Sequence, residues 1–278
     1  MVQKYDAIID STEAMAAQAA ADAGAHLPAD QIDATKFYIT QHWDRYTEEN
    51  HRTWAALYAR RIETLREQAS NVFLSGFDAF NLPKTHMPRL SEVNKVLQGK
   101  TGWQSRPVPG YLPAKSFFAC LARREFPTTI TIRPFDKLDY LPEPDIFHDV
   151  YGHVPLHADP VFAEFLQTYG KAALMCDDEV HVKRLGRLFW FTVEFGLIRE
   201  DGRLKIYGSG LMSSIGESKY SLESDIPERR PFDLEQVCNT DFEIDHFQPI
   251  YYVLDSFAQL RDAMNSYAEQ VLGVGAAH

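Results

Sequence analysis

The stretch that decides the fold is residues 142–155, which read Pro-Glu-Pro-Asp-Ile-Phe-His-Asp-Val-Tyr-Gly-His-Val-Pro. Its two histidines, His148 and His153, are five positions apart, which places them about 140° apart around a regular α-helix. A helix here must therefore distort or end between them if both imidazoles are to face one site. Gly152 and Pro155 favour such a break, because glycine is conformationally permissive and proline cannot continue a helical hydrogen-bond ladder.

A carboxylate further along the chain completes a possible metal site. Glu194 lies in the almost unbroken apolar run 188–198, where a lone charge costs several kcal/mol unless it is paired or metal-bound. Two imidazoles and one carboxylate are the ligands of non-haem iron enzymes, which leave the opposite face open for O₂, so this set favours iron over zinc. The residues alone leave other interpretations open: unrelated histidines, or a buried pair of Glu194 with an arginine. We expect His157 at the surface, with a fourth-ligand role as the alternative.

Composition sets limits on the class of protein. The chain has 278 residues, of which 45% are hydrophobic, and a net charge of −11. A sizeable core is therefore expected, whereas a nucleic-acid or anionic-membrane partner is not, because phosphate binding needs a basic surface. The sequence has neither a signal-peptide pattern at its start nor an apolar run of about 18 residues. Three widely spaced cysteines do not suggest a disulfide framework, so a cytoplasmic protein is expected.

The patterning predicts a mainly α protein with a few short strands, in the α+β class. We expect an Ala-rich N-terminal arm at residues 1–30 and a single domain at 31–278. No alternating βαβ pattern and no glycine-rich phosphate loop is present. The expected elements are a long helix capped by Thr47 and reaching Phe73, a helix over Ser116–Arg124, a strand over Thr128–Arg133, a helix from Asp159 towards Gly170, a turn at Asp201-Gly202 and a last helix with a capping box at Ser256 and Gln259.

Three segments together resemble a known family. Residues 142–155, 190–196 (Trp-Phe-Thr-Val-Glu-Phe-Gly) and 207–214 (Tyr-Gly-Ser-Gly-Leu-Met-Ser-Ser) closely resemble the pterin-dependent aromatic amino acid hydroxylases, most nearly the bacterial members that act on phenylalanine. The resemblance extends over about residues 37–270. It implies the catalytic-domain fold of that family for residues 31–278.

The resemblance also implies roles for individual residues. His148, His153 and Glu194 correspond to the ferrous iron ligands. Ser213 corresponds to a hydroxyl near the first iron histidine, and Arg133 to the residue that pairs with the substrate carboxylate. Together with these two, the implied substrate-binding residues are Leu141, Pro142, Pro144, Trp190 and Phe195. The implied pterin-binding residues are Leu112, Phe117, Asp149 and Phe189.

What the resemblance implies chemically is the hydroxylation of L-phenylalanine to L-tyrosine, as in phenylalanine catabolism. The reaction would use O₂, Fe(II) and a tetrahydropterin, either tetrahydrobiopterin or a bacterial analogue. Trp190 stands where tryptophan hydroxylases usually have Phe, and Ile244 where tyrosine hydroxylases have Asp, so phenylalanine is the expected substrate. The alternatives are tryptophan or tyrosine as substrate, a zinc hydrolase, or a non-catalytic protein that binds metal and amino acid. The chain has no counterpart of the animal regulatory domain or tetramerising helix, so a monomer is expected.

Overall fold

Helices outweigh strands, which confirms the predicted fold class. The computed structural model describes residues 8–139, 143–244, 246–271 and 273. The helices are α1 (Ser11–Gly24), α2 (Glu48–Gln68), α3 (Asn71–Phe80), α4 (Leu90–Lys100), α5 (Ala114–Ala122), α6 (Val154–His157), α7 (Pro160–Met175), α8 (Glu179–Phe189), α9 (Ser209–Ser213), α10 (Ile215–Glu223), α11 (Leu234–Asn239) and α12 (Phe257–Val271). Two π-helices, Phe147–His153 and Trp190–Glu194, lie between them. No helix among the described residues is long and apolar enough to cross a membrane.

The strands form two small sheets. They are β1 (Gln104–Val108), β2 (Glu125–Thr129), β3 (Leu197–Glu200), β4 (Arg203–Ile206), β5 (Glu228–Pro231) and β6 (Ile250–Leu254). β1 and β2 pair in parallel, and the second sheet has the order β4-β3-β6-β5. The predicted turn at Asp201-Gly202 joins β3 to β4, and both residues have positive φ (49° and 74°), as a tight hairpin turn requires.

The long helix predicted from Thr47 to Phe73 is in fact two helices. Its start is confirmed, because Thr47 caps α2 in a reciprocal capping box with Asn50. The prediction was wrong beyond Gln68. There the chain becomes extended, and Ser70 donates its backbone N–H to the carbonyl of Ile206 (2.9 Å) and caps α3 with its side chain. A serine side chain can replace the missing helical hydrogen bond, so the apolar periodicity continues across a break.

Two other predicted boundaries were wrong. The predicted strand 128–133 is observed as β2, which begins at Glu125 and ends at Thr129 because its partner β1 also ends there. Arg133 therefore lies in a loop. The helix predicted to run towards Gly170 continues to Met175. Gly170 is a packing residue, since a Cβ atom there would lie 2.5 Å from Leu121 Cβ on α5.

The N-terminal segment carries a packed helix. The side chains of Ala17 and Ala21 in α1 are buried, and Ser116 of α5 donates its hydroxyl to the Ala21 carbonyl (3.0 Å). Small side chains thus replace the large apolar residues that the segment lacks. The boundary of the arm at residue 30 remains a prediction.

An aromatic core supports the first π-helix. Phe147 and Tyr151, both in that helix, stack on each other with centroids 4.6 Å apart. Trp54 of α2 meets Phe147 edge to face, and Phe77 of α3 meets Tyr151 in the same way. This buried face fixes the rotation of the π-helix, so His148 and His153 point away from the core towards a common site.

Candidate metal centre and its two cavities

The first π-helix brings the two histidines together. Hydrogen bonds from residue i+5 to residue i, such as Val154 N–H to the Asp149 carbonyl, widen this turn. The Nε2 atoms of His148 and His153 lie 3.1 Å apart. The predicted distortion between the histidines is therefore confirmed. Gly152 allows it, because a Cβ there would lie 2.9 Å from the Ser209 carbonyl oxygen of α9.

The second π-helix carries the carboxylate of Glu194 at its last position. Glu194 Oε1 lies 3.2 Å from His153 Nε2, and Oε2 lies 3.5 Å from His148 Nε2. The remaining partner of the carboxylate is Ser209, whose hydroxyl donates to Oε2 at 2.8 Å. No arginine among the described residues is paired with Glu194, so the interpretation as a buried arginine pair is not supported. The apolar run 188–198 ends α8, forms the π-helix and begins β3.

Two serines of α9 orient two of the three donors. Ser213 Oγ lies 2.9 Å from the Ser209 carbonyl oxygen and 2.9 Å from His148 Nδ1. A carbonyl oxygen can only accept, so the serine proton is used there and His148 Nδ1–H must donate to Oγ. The other nitrogen, Nε2, then carries a lone pair that faces the centre, as a metal ligand needs. Ser213 thus lies at hydrogen-bonding distance from the first of the two histidines.

The electrostatics favour neutral imidazole and ionised carboxylate. Burial lowers the pKa of His148 to about 4. Burial by itself would raise the pKa of Glu194, but the two imidazoles and the hydroxyl of Ser209 hold it at about 2. At neutral pH His148 therefore offers a nitrogen lone pair and Glu194 a negative oxygen, which are the protonation states that bind a divalent cation.

The donor spacing fits one metal ion. Bonds of about 2.1 Å at right angles separate two ligand atoms by about 3.0 Å, close to the observed 3.1–3.5 Å. Asp149 is a second candidate carboxylate, since one of its oxygens lies within 4.8 Å of both imidazoles. Glu194 is nearer to them. Asp149 also accepts a hydrogen bond from the backbone N–H of Thr129 (2.7 Å), which holds its carboxylate away from the imidazoles.

A cavity of about 570 Å³ opens on one side of His148, and charged residues line it. Arg133 forms a two-bond pair with Asp145: Nε to Oδ2 at 2.8 Å and Nη2 to Oδ1 at 3.1 Å. A third donor reaches the Leu138 carbonyl (3.2 Å). Two of the five guanidinium N–H groups remain for a ligand. Ser213 also lines this larger cavity.

A second cavity, of about 320 Å³, also borders His148 and is mainly apolar. Phe117 and Phe189 meet edge to face with centroids 5.7 Å apart. Leu112 and Asp149 line the same cavity, so all four residues predicted to bind the cofactor converge on it. Burial raises the pKa of Asp149 to about 7.

Three residues predicted to bind substrate do not line the larger cavity. Pro144 lines the smaller cavity rather than the larger one. Neither Trp190 nor Phe195 lines either cavity: Trp190 stacks on Phe242 (4.4 Å between centroids), and Phe195 packs behind Gly210, which does line the larger cavity. Phe195 therefore stands behind the wall, and Trp190 packs on Phe195 with ring centroids 4.7 Å apart. Leu141 and Pro142 lie outside the described residues.

The structure adds residues that sequence reasoning missed. Asp145 pairs with Arg133 and also accepts from the His148 backbone N–H (3.0 Å). Its only signal was an acidic residue inside the opening motif. Ser209 lay in the glycine-flanked segment 207–214 but was not singled out. His157 was expected at the surface and is fully buried, stacked on Trp103 with centroids 5.0 Å apart. That expectation was wrong because the chain continues into the core as α6.

Comparison with known proteins agrees with this geometry. Residues 34–273 match the family model of the biopterin-dependent aromatic amino acid hydroxylases. The chain is 45% identical over 231 residues to the phenylalanine-4-hydroxylase of Chromobacterium violaceum, covering 83% of this chain and 78% of that protein. It is 45% identical to the enzyme of the same name from Vibrio cholerae, covering 78% and 74%. A crystal structure of the Chromobacterium violaceum enzyme with iron(III) and 7,8-dihydrobiopterin superposes with a TM-score of 0.82 at 44% identity, covering 87% of this chain and 88% of that one.

Proposed function

The chain belongs to the biopterin-dependent aromatic amino acid hydroxylases, and from that membership we propose that it hydroxylates L-phenylalanine to L-tyrosine. The co-substrates are O₂ and a tetrahydropterin, and the metal is Fe(II). The observation that carries the proposal is the trio His148, His153 and Glu194, which stands where two chemically different cavities meet. Such a junction lets one metal ion serve two organic substrates.

The residues of the centre fit ferrous iron. When bound, iron and the reduced pterin together supply the reduction of O₂, with one oxygen atom going to each organic substrate. The protein holds the metal with His148, His153 and Glu194. Ser213 keeps the His148 proton on Nδ1, and Ser209 orients the carboxylate. These contacts keep the donor atoms in place before the metal arrives.

The smaller cavity suits a flat bicyclic heterocycle such as the pterin. Its volume of about 320 Å³ is in the range of small-molecule sites, and the face of Phe117 offers a stacking surface. Leu112 and Phe189 would flank the ring. The Asp149 carboxyl group is a polar group on this largely apolar wall, and it would orient the ring by hydrogen bonding.

The larger cavity suits the amino acid. Arg133 would receive the substrate carboxylate through its two remaining N–H groups, and Asp145 keeps the guanidinium in place. Leu141, Pro142 and Pro144 would form the loop over the substrate. Pro144 would reach it from the smaller cavity, which it lines. Trp190 and Phe195 would act as support, because Phe195 packs behind the cavity wall and Trp190 packs on Phe195. Trp190 donates its indole N–H to Gln248 (2.9 Å), which fixes the ring.

An assay that starts without oxygen tests the proposal. Fe(II)-loaded protein is mixed with tetrahydropterin and L-phenylalanine, O₂ is admitted, and tyrosine and oxidised pterin are measured. We expect tyrosine to form in step with pterin oxidation. Pterin oxidation without tyrosine would replace phenylalanine by tryptophan or tyrosine as the substrate. No O₂ uptake with iron bound would overturn the hydroxylase and favour a hydrolase or a binding protein.

We also propose that the protein acts as a monomer in the cytoplasm. Its three cysteines, Cys120, Cys176 and Cys238, are buried and unpaired, which suits a reducing compartment. Light scattering of the purified protein should give a mass near the 31.8 kDa of one chain. A tetramer would contradict the proposal.

A further inference from the structure

Arg61 is a buried cation whose role the proposed chemistry leaves unassigned. It lies on α2 beside the larger cavity, and only 1% of its surface is exposed. No carboxylate among the described residues pairs with it, whereas Arg133 in the same cavity pairs with Asp145. A guanidinium buried without a counter-ion is costly, so its hydrogen bonds have to offset the loss of hydration.

Its hydrogen bonds connect two helices. Nε donates to the carbonyl oxygen of Met212 in α9 at 2.7 Å. Nη1 donates within α2, to Thr64 Oγ1 at 2.7 Å and to Gln68 Oε1 at 3.0 Å. Nη2 has no partner among the described residues. Two side chains of its own helix thus fix the guanidinium plane while the third contact holds α9.

The helix that Arg61 holds is the one that carries the serines of the metal centre. Ser209, which orients Glu194, is the first residue of α9, and Ser213, which orients His148, is the last. A helix of five residues has too few internal hydrogen bonds to be stable alone. Met212 immediately precedes Ser213, and a positive charge beside the last carbonyls of a helix is favourable.

We propose that Arg61 is a positioning residue of the metal centre, acting through the Met212 carbonyl on α9 and so on Ser213 and His148. The inference rests on the proposed metal centre. It predicts that losing the guanidinium loosens the Ser213–His148 hydrogen bond and weakens metal binding. The charge by itself is not the cause, because the contact with α9 is made by one N–H group of defined direction.

Cobalt(II) binding to the metal-free protein tests this without using activity. We expect Arg61→Met to weaken Co²⁺ binding about ten- to hundredfold, the range found when a partner of a metal ligand is removed. The matched control is Arg60→Met. Arg60 lines the same cavity but pairs with Asp139 at the surface, so its loss removes the same charge and should leave Co²⁺ affinity unchanged.

A double-mutant cycle separates positioning from general damage. If Arg61 acts through Ser213, then Arg61→Met combined with Ser213→Ala should bind Co²⁺ no more weakly than Ser213→Ala alone. Simple addition of the two losses would overturn the inference, as would wild-type affinity in Arg61→Met. If Arg61→Met does not fold, Arg61→Lys replaces it in the same cycle, with the same criterion. Failure of the wild-type protein to bind Co²⁺ would instead overturn the metal centre itself.

Discussion

The two cavities beside the metal centre differ in how their polar groups are used. In the larger cavity Arg133 is paired with Asp145 and keeps two of its five N–H groups for a ligand, whereas Arg61 has no carboxylate partner among the described residues. In the smaller cavity apolar and aromatic side chains dominate, and two acids, Asp149 and Glu194, lie among them. His148 borders both. Each cavity therefore selects its ligand by its own chemistry, and the metal is common to both cavities.

Their walls explain why they can differ. The larger cavity lies among α2, α9 and α10, and the smaller among α5, β2 and the end of α8. The two π-helices run between these groups and carry the donors. A change in one wall should therefore affect one ligand, whereas a change in the donors should affect both.

The largest effect is expected from removing a ligand of the metal that the two cavities share. Glu194→Ala removes a metal ligand. Losing a residue that only supports a ligand lowers metal affinity about 10- to 100-fold, so the loss of Glu194 should lower it further. Turnover should be lost with it. Iron content and tyrosine formation measure the two. Glu217→Ala is the matched control: it removes a buried carboxylate of the larger cavity instead and should retain iron. Full activity of Glu194→Ala at one iron per chain would contradict the account.

The next largest effect should be confined to the larger cavity. Arg133→Met removes a charged hydrogen-bonding group, so the KM for L-phenylalanine should rise about ten- to hundredfold while the KM for the pterin stays the same. It also leaves Asp145 unpaired, at a cost of about 3–5 kcal/mol in the free energy of unfolding.

The double variant Arg133→Met, Asp145→Asn separates these two consequences. It should recover stability in urea denaturation without recovering the KM. Equal rises in both KM values would mean that Arg133 acts on the fold as a whole. They would contradict the assignment of one ligand to each cavity.

A smaller effect should be confined to the smaller cavity. Phe117→Leu removes an aromatic face worth about 0.5–1.5 kcal/mol, so the KM for the pterin should rise about two- to tenfold with the KM for L-phenylalanine unchanged. Phe232→Leu is the control, since Phe232 is a buried ring that lines neither cavity. It should lower stability and change neither KM. An effect of Phe117→Leu on phenylalanine alone would reverse our assignment of the cavities.

The smallest effect concerns Glu217 in the larger cavity, which accepts hydrogen bonds from the Gln248 backbone (3.0 Å) and the Tyr251 hydroxyl (2.9 Å). Burial raises its pKa above the usual 4.5. Between pH 4.5 and the raised pKa of Glu217, the folded protein holds more protons than the unfolded chain. The free energy of unfolding therefore falls as pH rises through this range.

Glu217→Gln keeps the acceptor and removes this titration. Its unfolding free energy, measured in urea on the metal-free protein, should fall less steeply above pH 4.5 than that of the wild type. The difference in slope can be at most about 1.4 kcal/mol per pH unit. Parallel pH profiles of the two proteins would contradict a raised pKa.

The sequence predicts much of this site because its signals are local. The spacing of His148 and His153 required a distorted helix, and a carboxylate at Glu194 in an apolar run required a partner; both requirements are met at one place. The resemblance pointed to four of the residues that line the smaller cavity, Leu112, Phe117, Asp149 and Phe189.

What the sequence could not predict depends on contacts between distant segments. Arg133 meets Asp145, and Arg61 meets Met212, 151 residues away. No periodicity records such pairs. Likewise the apolar pattern continues across Ala69 and Ser70, although a bridge to Ile206 breaks the helix there. Trp190 was predicted to bind substrate, but its position depends on contacts with Phe242 and Gln248.

The most direct test of the shared metal is a crystal structure of the iron-loaded protein with anomalous scattering data at the iron edge. We predict one peak within bonding distance of His148 Nε2, His153 Nε2 and the Glu194 carboxylate, between the two cavities. A peak bonded to Asp149 in place of Glu194, or a peak outside this junction, would contradict the account.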